Sequence, residues 1–219
     1  MALYVVRLWL PDRPGALGQV ASRIGAVRGD VVGIEILERG AGRAIDELVV
    51  RLPDDGLVEL LVAEIAQVDG VDVEDVRAVV GQPHAAQLSG LVMAERMVLA
   101  ADTDEVLLGL CQDICRELEC DWATVVRMDP PAEVASGGDA PSAAWLGAFL
   151  AGSRHLESSD DEGGAPPDMA WAALGQAGLE LAAGRPGRAF RSLERQQLAL
   201  LARVADGVVM SRSGVGPAT

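Results

Sequence analysis

The residues best suited to bind a small molecule lie near the amino terminus, where an apolar segment runs into Pro11–Gly18, with the sequence Pro-Asp-Arg-Pro-Gly-Ala-Leu-Gly. Pro14 has its φ fixed near the helical value, so we predict that it occupies the first turn of a helix. Gly15 has no Cβ, which lets another molecule approach the backbone. The first turn of a helix has unpaired N–H groups and the positive end of the helix dipole, and both favour a bound carboxylate.

Asp12 adds a negative charge beside this turn. Its carboxylate could meet an ammonium group, and a carboxylate receptor next to a carboxylate side chain is the minimal arrangement of a site for an α-amino acid. A simpler interpretation is that Asp12 caps the helix and that Gly15 packs closely against a strand. The residues themselves leave both interpretations open.

The composition limits the kinds of partner. The chain has 219 residues, enough for two domains of about 100 residues each, and half of its residues are apolar. It carries 18 basic and 33 acidic residues, for a net charge of −15. Because affinity for nucleic acid comes largely from basic residues that neutralise phosphates, this balance argues against a nucleic-acid partner.

Hydropathy and cysteine content suggest a cytoplasmic protein. No apolar run approaches the ~20 residues that span a bilayer, and a signal peptide is not evident, so we expect no membrane partner. Cys111, Cys115 and Cys120 are then expected to be reduced thiols. Cys111 and Cys115 share a helix face, so a metal or redox role is conceivable, but without a nearby histidine we favour small buried hydrophobic residues. We expect no metal site and no cofactor.

Hydrophobic periodicity in residues 1–80 predicts six elements. They are a strand at 3–10, a helix at 14–28, strands at 31–38 and 44–52, a helix at about 57–68 and a strand at 71–80. Crossover rules then favour an antiparallel four-stranded sheet with both helices on one face, which is a ferredoxin-like βαββαβ fold of the α+β class. The other face of the sheet is left for something else to cover.

This order of elements, together with Asp12-Arg13-Pro14-Gly15-Ala16-Leu17 at the first strand-to-helix turn, resembles the ACT domain, a small amino-acid-sensing module. The resemblance implies a ligand held between this turn and the second strand of a partner domain, in a homodimer whose domains pair side by side or back to back. The implied ligand-binding residues are Asp12, Arg13, Pro14, Gly15, Ala16 and Leu17 of the turn and Val32, Gly33 and Ile34 of the strand. The chain departs from the family at Asp12, where Asn or His is frequent.

Gly33 has two interpretations at this stage. A glycine inside a strand is locally unfavourable, and close approach of a ligand or of another backbone would explain it. A simple β-bulge would explain it equally well.

Residues 81–90 are predicted to be a linker, with a second domain at 91–212 and a disordered tail at 213–219. We predict helices at 87–100 and 103–119, a strand at 122–128, a loop at 130–141 and either a strand or a helix at 143–151. An acidic loop at 158–167, a hairpin of 169–174 with 179–183, and a helix at 192–210 follow.

The segments 104–128 and Phe190-Arg191-Ser192-Leu193-Glu194 make this second half similar to a GAF-type sensor domain. The resemblance implies that the first and last helices of the domain pair between subunits. The run between the two segments is shorter than a full GAF sheet normally needs, which implies a reduced or lost ligand pocket.

These observations predict a non-catalytic regulatory protein that binds an amino acid or a similar small carboxylate and signals through dimer geometry or to an effector protein. The alternative is a protein–protein interaction or dimerisation module without a small-molecule ligand. We do not expect an enzyme, because the sequence has no nucleophile elbow, phosphate loop, metal-ligand spacing or dinucleotide fingerprint.

Overall fold

The computed structural model describes residues 2–79, 86–156 and 166–214. The chain divides into two compact units, Met1–Ala86 and Gln87–Thr219. The predicted linker at 81–90 overlaps the first helix of the second unit, which begins at Ala86, while residues 80–85 lie outside the described residues.

The first unit has the predicted order of elements. These are β1 (Ala2–Pro11), α1 (Ala16–Ala26), β2 (Asp30–Gly40), β3 (Arg43–Leu52), α2 (Val58–Ile65, after a short 3-10 turn at Asp55–Leu57) and β4 (Asp72–Ala78). The strands form one antiparallel sheet in the order β2-β3-β1-β4. This strand order confirms the ferredoxin-like α+β fold.

One face of this sheet forms the core with the two helices. Every second residue from Val6 to Leu10 of β1 and from Ala44 to Leu52 of β3 is buried against them, because successive side chains of a strand point to opposite faces. The principal members of the core are Val6, Leu8, Leu10, Ala44, Leu48, Val50 and Leu52 of the sheet with Val20, Ile24, Leu61 and Ile65 of the helices. The opposite face includes ion pairs, in which Glu47 Oε1 lies 2.7 Å from Arg7 Nη2 and 2.8 Å from Arg77 Nη2.

The second unit is also a mixed α+β structure. Its elements are α3 (Ala86–Leu99), α4 (Thr103–Glu117), β5 (Trp122–Met128), β6 (Pro131–Gly138), α5 (Ala143–Leu156), β7 (Met169–Leu174), β8 (Leu179–Gly184) and α6 (Ser192–Ser213). The sheet is antiparallel in the order β6-β5-β8-β7. The predicted hairpin is formed by β7 and β8, and α6 is three residues longer than predicted.

The predicted loop at 130–141 is wrong, because residues 131–138 form β6 and pair with β5. The glycines that suggested a loop serve close packing instead. A Cβ on Gly137 would lie 3.3 Å from the backbone of Cys111 in α4, so a side chain there would push the helix away from the sheet. Gly138 has a φ of 72°, and its Cβ would lie 2.0 Å from the Asp121 carbonyl oxygen.

Residues 143–151 form the start of helix α5, so the strand interpretation is wrong and the helical one is confirmed. Leu146 and Leu150, one turn apart, are both buried against the sheet. Of the predicted acidic loop, residues 158–165 lie outside the described residues, as do 215–219 of the predicted tail. No helix within the described ranges is both long enough and apolar enough to cross a membrane.

Candidate ligand-binding site

A tight turn of residues 13–16 joins β1 to α1, and the helix begins at its last residue. The Ala16 N–H donates to the Arg13 carbonyl at 3.3 Å, and Gly15 has φ 89° and ψ −13°. These values match a type II turn with Pro14 at its second position and Gly15 at its third, where a positive φ is required. The prediction that Pro14 lies in the first helical turn is therefore wrong: α1 begins at Ala16 because the left-handed Gly15 interrupts the helical path.

The space around Gly15 is open. No heavy atom other than those of its chain neighbours lies within 4 Å of the position that a Cβ would occupy, so Gly15 does not pack against a strand. Asp12 does not cap α1 either, because the helix has no side-chain cap. The backbone N–H of Asp12 instead donates to the Gly42 carbonyl at 2.9 Å. Both parts of the simpler interpretation are thus excluded, and residues 12–15 are exposed.

The beginning of α1 offers hydrogen-bond donors toward this open space. The Gln19 N–H is used, since it donates to the Gly15 carbonyl at 3.1 Å. Within the described residues the N–H groups of Leu17 and Gly18 have no acceptor. Two unpaired donors at the positive end of a helix are suited to a small anionic group.

The strand residues predicted to share this site lie far from the turn in the same chain. Gly33 pairs with Val49, which pairs with Val5, whereas the turn follows Leu10. Val5, the β1 residue in line with Gly33, lies five residues before Leu10, a distance of about 17 Å at the usual rise per residue of a strand. One chain therefore does not bring the two halves of the predicted site together.

Gly33 itself is explained by the fold. The register of β2 against β3 shifts between Val31 and Gly33, which marks a bulge, and a Cβ on Gly33 would lie 3.2 Å from Val49 Cγ2. Val32 and Ile34 are exposed, Ile34 by 52%, on a strand that forms the edge of the sheet. An exposed apolar edge strand is a surface on which another strand can pair.

Sequence reasoning missed Asp46, a buried carboxyl group in β3. It is only 3% exposed, and its Oδ1 is buried and has no hydrogen-bond partner in the described part of the chain. Burial raises the pKa of Asp46, the charge of Asp12 raises this pKa further, and Arg39 lowers it. The strand pattern contained the signal, because Asp46 falls in the alternating series of core residues between Ala44 and Leu48.

The three cysteines are embedded in the second unit. Cys111 and Cys120 are buried, and burial raises the pKa of each thiol to about 12. The Cys111 Sγ lies 3.7 Å from the Ala135 carbonyl oxygen, to which it donates. No group of metal-ligating side chains occurs among the described residues. The burial of Cys111 and Cys120 favours their interpretation as small buried hydrophobic residues, whereas Cys115 is only partly buried.

Side chains fill the space between α5 and the second sheet. Trp122 lies over Gly184, where a Cβ would come within 2.3 Å of the indole ring. The same cluster contains Leu146, Leu150 and Met169, all buried. The sheet face that α5 covers is thus occupied by the protein's own core.

No family profile and no curated protein sequence matches the chain. Similar solved structures include the ACT domain of the GTP pyrophosphokinase from Chlorobium tepidum, with 18% identity over 36% of this chain and 97% of that one and a TM-score of 0.29. The GAF domain of an Acinetobacter phosphoenolpyruvate-protein phosphotransferase has 12% identity over 63% of this chain and 100% of that one, with a TM-score of 0.44.

A third similar structure is the chromophore-binding domain of a bacteriophytochrome from R. palustris, with 13% identity over 96% of this chain and 94% of that one and a TM-score of 0.43. ACT and GAF domains are the two classes that the sequence resembles. All three TM-scores are below 0.5, and the fold of each unit is defined by the strand order of its own sheet.

Proposed function

We propose that this protein is a non-catalytic regulatory binding protein whose first unit holds an amino acid or a similar small carboxylate at the start of α1. The observation that carries this proposal is the open turn at Gly15, beside which the N–H groups of Leu17 and Gly18 have no acceptor in the described structure. A ligand carboxylate would accept hydrogen bonds from these two groups.

The proposal includes a homodimer formed along β2. Residues Val32–Ile34 and the turn lie at opposite ends of the sheet in one chain. Antiparallel pairing of two copies along β2 reverses the strand direction, so that Val32–Ile34 of one copy move toward the end at which the other copy has its turn. The exposed side chains of Ile34 and Ile36 would be covered by this pairing.

Ligand binding would then change the stability or geometry of the dimer, which an effector protein could read. A coupling free energy of about 1–3 kcal/mol is enough for such regulation. The proposed setting is the cytoplasm, without nucleic-acid or membrane partners.

Thermal-shift measurements on the full chain with each of the twenty L-amino acids test this function. We expect at least one amino acid to raise the melting temperature, and we expect Gly15→Val to remove that rise because its side chain fills the open space. Gly178→Val is the matched control, since Gly178 also has a positive φ and open surroundings but lies in the other unit. No rise with any amino acid, or an unchanged rise in Gly15→Val, would contradict the proposal.

A second candidate function, an interaction module without a ligand, is favoured by apolar surface on α3 and α6. Leu91 and Leu99 of α3 are 66% and 75% exposed, and Leu200 and Val204 of α6 are also exposed. Arg212 of α6 joins the two helices, because its Nη2 donates to the Val98 carbonyl of α3 at 3.1 Å.

The exposed apolar residues of α3 and α6 could pack against the same helices of a second copy. Light scattering of the full chain separates the two functions: a dimer that Leu91→Glu dissociates and that no amino acid alters would favour the interaction module. A dimer that Ile34→Glu dissociates and that an amino acid stabilises would favour the sensor.

A further inference from the structure

The first unit contains a buried carboxyl group, that of Asp46, whose presence in the core is not explained by the packing of the fold. Asp46 is almost completely buried, and its Oδ1 has no hydrogen-bond partner among the described residues. A buried polar atom without a partner is rare in folded proteins and requires an explanation. No ion pair involves Asp46 in the described structure, although other carboxylates of this unit, such as Glu47, have arginine partners.

Asp46 lies on the side of the sheet that faces α1, close to the open turn. It pairs with Leu8 of β1, three residues before Pro11, where that strand ends. The charge of Asp12, in the turn itself, acts on Asp46, as does that of Arg39 at the end of β2. The buried carboxyl group and the unpaired N–H groups of α1 are therefore at the same corner of the unit.

We propose that Asp46 binds the ammonium group of the ligand and so restricts the site to α-amino acids, excluding hydroxy and oxo acids of the same shape. This inference rests on the proposed function. An α-amino acid has its ammonium and carboxylate groups on one carbon atom, so the α1 donors and Asp46 could act on the two groups together. The ammonium group would supply the missing hydrogen-bond donor of Asp46 and would offset its repulsion by Asp12.

The ligand reaches Asp46 only if the site opens. Its Oδ1 is closed to solvent, so the side chain must rotate or the turn must lift. The turn is exposed, and among the described residues the hydrogen bonds that hold it join backbone groups. These run from Asp12 N to Gly42 O at 2.9 Å, from Arg13 N to Pro11 O at 2.8 Å and from Ala16 N to Arg13 O at 3.3 Å. Ala16, directly after the turn, is 1% exposed and belongs to the core, so the movement would be confined to residues 12–15.

Selectivity follows from the cost of leaving Asp46 unpaired. A site built to hydrogen-bond one group strongly rejects an analogue that lacks this group, because its own buried polar atom then stays without a partner. A hydroxy acid would satisfy the α1 donors but would bring no positive charge to Asp46. A site formed by the α1 donors alone would not distinguish the two acids.

Calorimetric titration of the full-length protein tests this inference. The probes are the L-amino acid that stabilises the wild type most and the 2-hydroxy acid with the same side chain. We expect the wild type to bind the amino acid at least about tenfold more tightly than the hydroxy acid. We expect Asp46→Asn to weaken amino-acid binding by at least about tenfold, with the affinity for the hydroxy acid unchanged within about twofold. Glu59→Gln is the control, because it removes the same charge from the exposed surface of α2 and should leave both affinities unchanged.

Carbon-13 NMR of the Asp46 carboxyl group in the wild type gives a second readout that does not depend on any variant folding. We expect the bound amino acid to lower the pKa of Asp46 and the hydroxy acid not to lower it. If Asp46→Asn retains the affinity and the preference of the wild type, or if this pKa does not respond to the amino acid, the inference is overturned and the proposed function stands. If no amino acid binds the wild type, the proposed function fails and the inference fails with it.

Discussion

One buried carboxyl group and one glycine from each unit differ in their surroundings. In the second unit the buried Glu194 accepts a hydrogen bond from Arg185 at 2.6 Å, and Gly184 is a glycine because Trp122 leaves no room for a Cβ. In the first unit the buried Asp46 has no partner in the described residues, and Gly15 faces open space. The fold provides a structural reason for Glu194 and Gly184, and the turn requires a glycine at position 15, whereas no hydrogen bond within the described residues accounts for Asp46 Oδ1. A ligand at the open turn would supply that hydrogen bond.

The largest expected effect is on the buried ion pair of the second unit. Arg185 is 2% exposed and also donates from Nη1 to the Leu118 carbonyl at 2.6 Å, so the Glu194 carboxylate neutralises a charge that cannot reach water. We expect Glu194→Ala to lower the free energy of unfolding by about 3–5 kcal/mol, because it leaves that charge buried and unpaired. Urea unfolding followed by circular dichroism measures this change.

The control is the exposed pair Arg43–Asp72, in which 72% of the Asp72 side chain is accessible. Asp72→Ala should change stability by about 1 kcal/mol or less. Equal losses for Glu194→Ala and Asp72→Ala would show that the pair in the second unit is not structural.

A smaller loss of stability is expected from substitution of Gly184, against which the Trp122 ring packs. In Gly184→Ala the new Cβ would lie 2.3 Å from the Trp122 ring, so the buried indole must move, at a cost of about 1–3 kcal/mol. Gly178→Ala meets no neighbouring atom, and its cost is limited to the strain of a positive φ, about 1 kcal/mol. Thermal denaturation compares the two variants, and a loss in Gly184→Ala no greater than that in Gly178→Ala would contradict the close packing.

Substitution of Asp46 should have the opposite effect on stability from the substitutions of Glu194 and Gly184. We expect it to stabilise the ligand-free protein. Replacing an unpaired buried polar group by an apolar residue in Asp46→Val should raise the free energy of unfolding by about 1–2 kcal/mol near neutral pH. The folded-state pKa of Asp46 is raised, so the native state binds more protons than the unfolded state above the ordinary Asp pKa of about 3.9. The contribution of Asp46 to stability therefore falls as the pH rises through this range.

The difference in stability between Asp46→Val and the wild type should accordingly grow from pH 4 to pH 7. Urea unfolding of both proteins at several pH values measures it. A constant difference, or a wild type that is the more stable protein at pH 7, would mean that the Asp46 carboxyl group has its hydrogen-bond partners within the fold and needs none from a ligand.

Much of the fold of the first unit could be predicted because its signals are local. Alternating apolar residues predict β1 and β3, and the hairpin between β2 and β3 turns at Ala41 and Gly42, which have the positive φ values of a tight turn. The start of α1 could not be placed, because Pro14 fits the first turn of a helix and the second position of a type II turn equally well.

The errors in the second unit have a tertiary cause. Gly137 and Gly138 are typical of a loop, but they lie in β6 where α4 and Asp121 approach the strand, and a sequence pattern does not contain such approaches. The open space at Gly15 was predicted from the missing Cβ. The alternation of β3 places Asp46 on the apolar face of the strand, but a sequence pattern does not show whether a buried carboxyl group has a hydrogen-bond partner.

Amide NMR of the full chain, titrated with the L-amino acid that stabilises it most, tests the central claim most directly. The account predicts that the largest shifts of backbone N–H resonances occur at Leu17 and Gly18, with a smaller change at Asp46. Shifts confined to the second unit, or an unchanged spectrum around Gly15 at ligand concentrations that stabilise the protein, would contradict it.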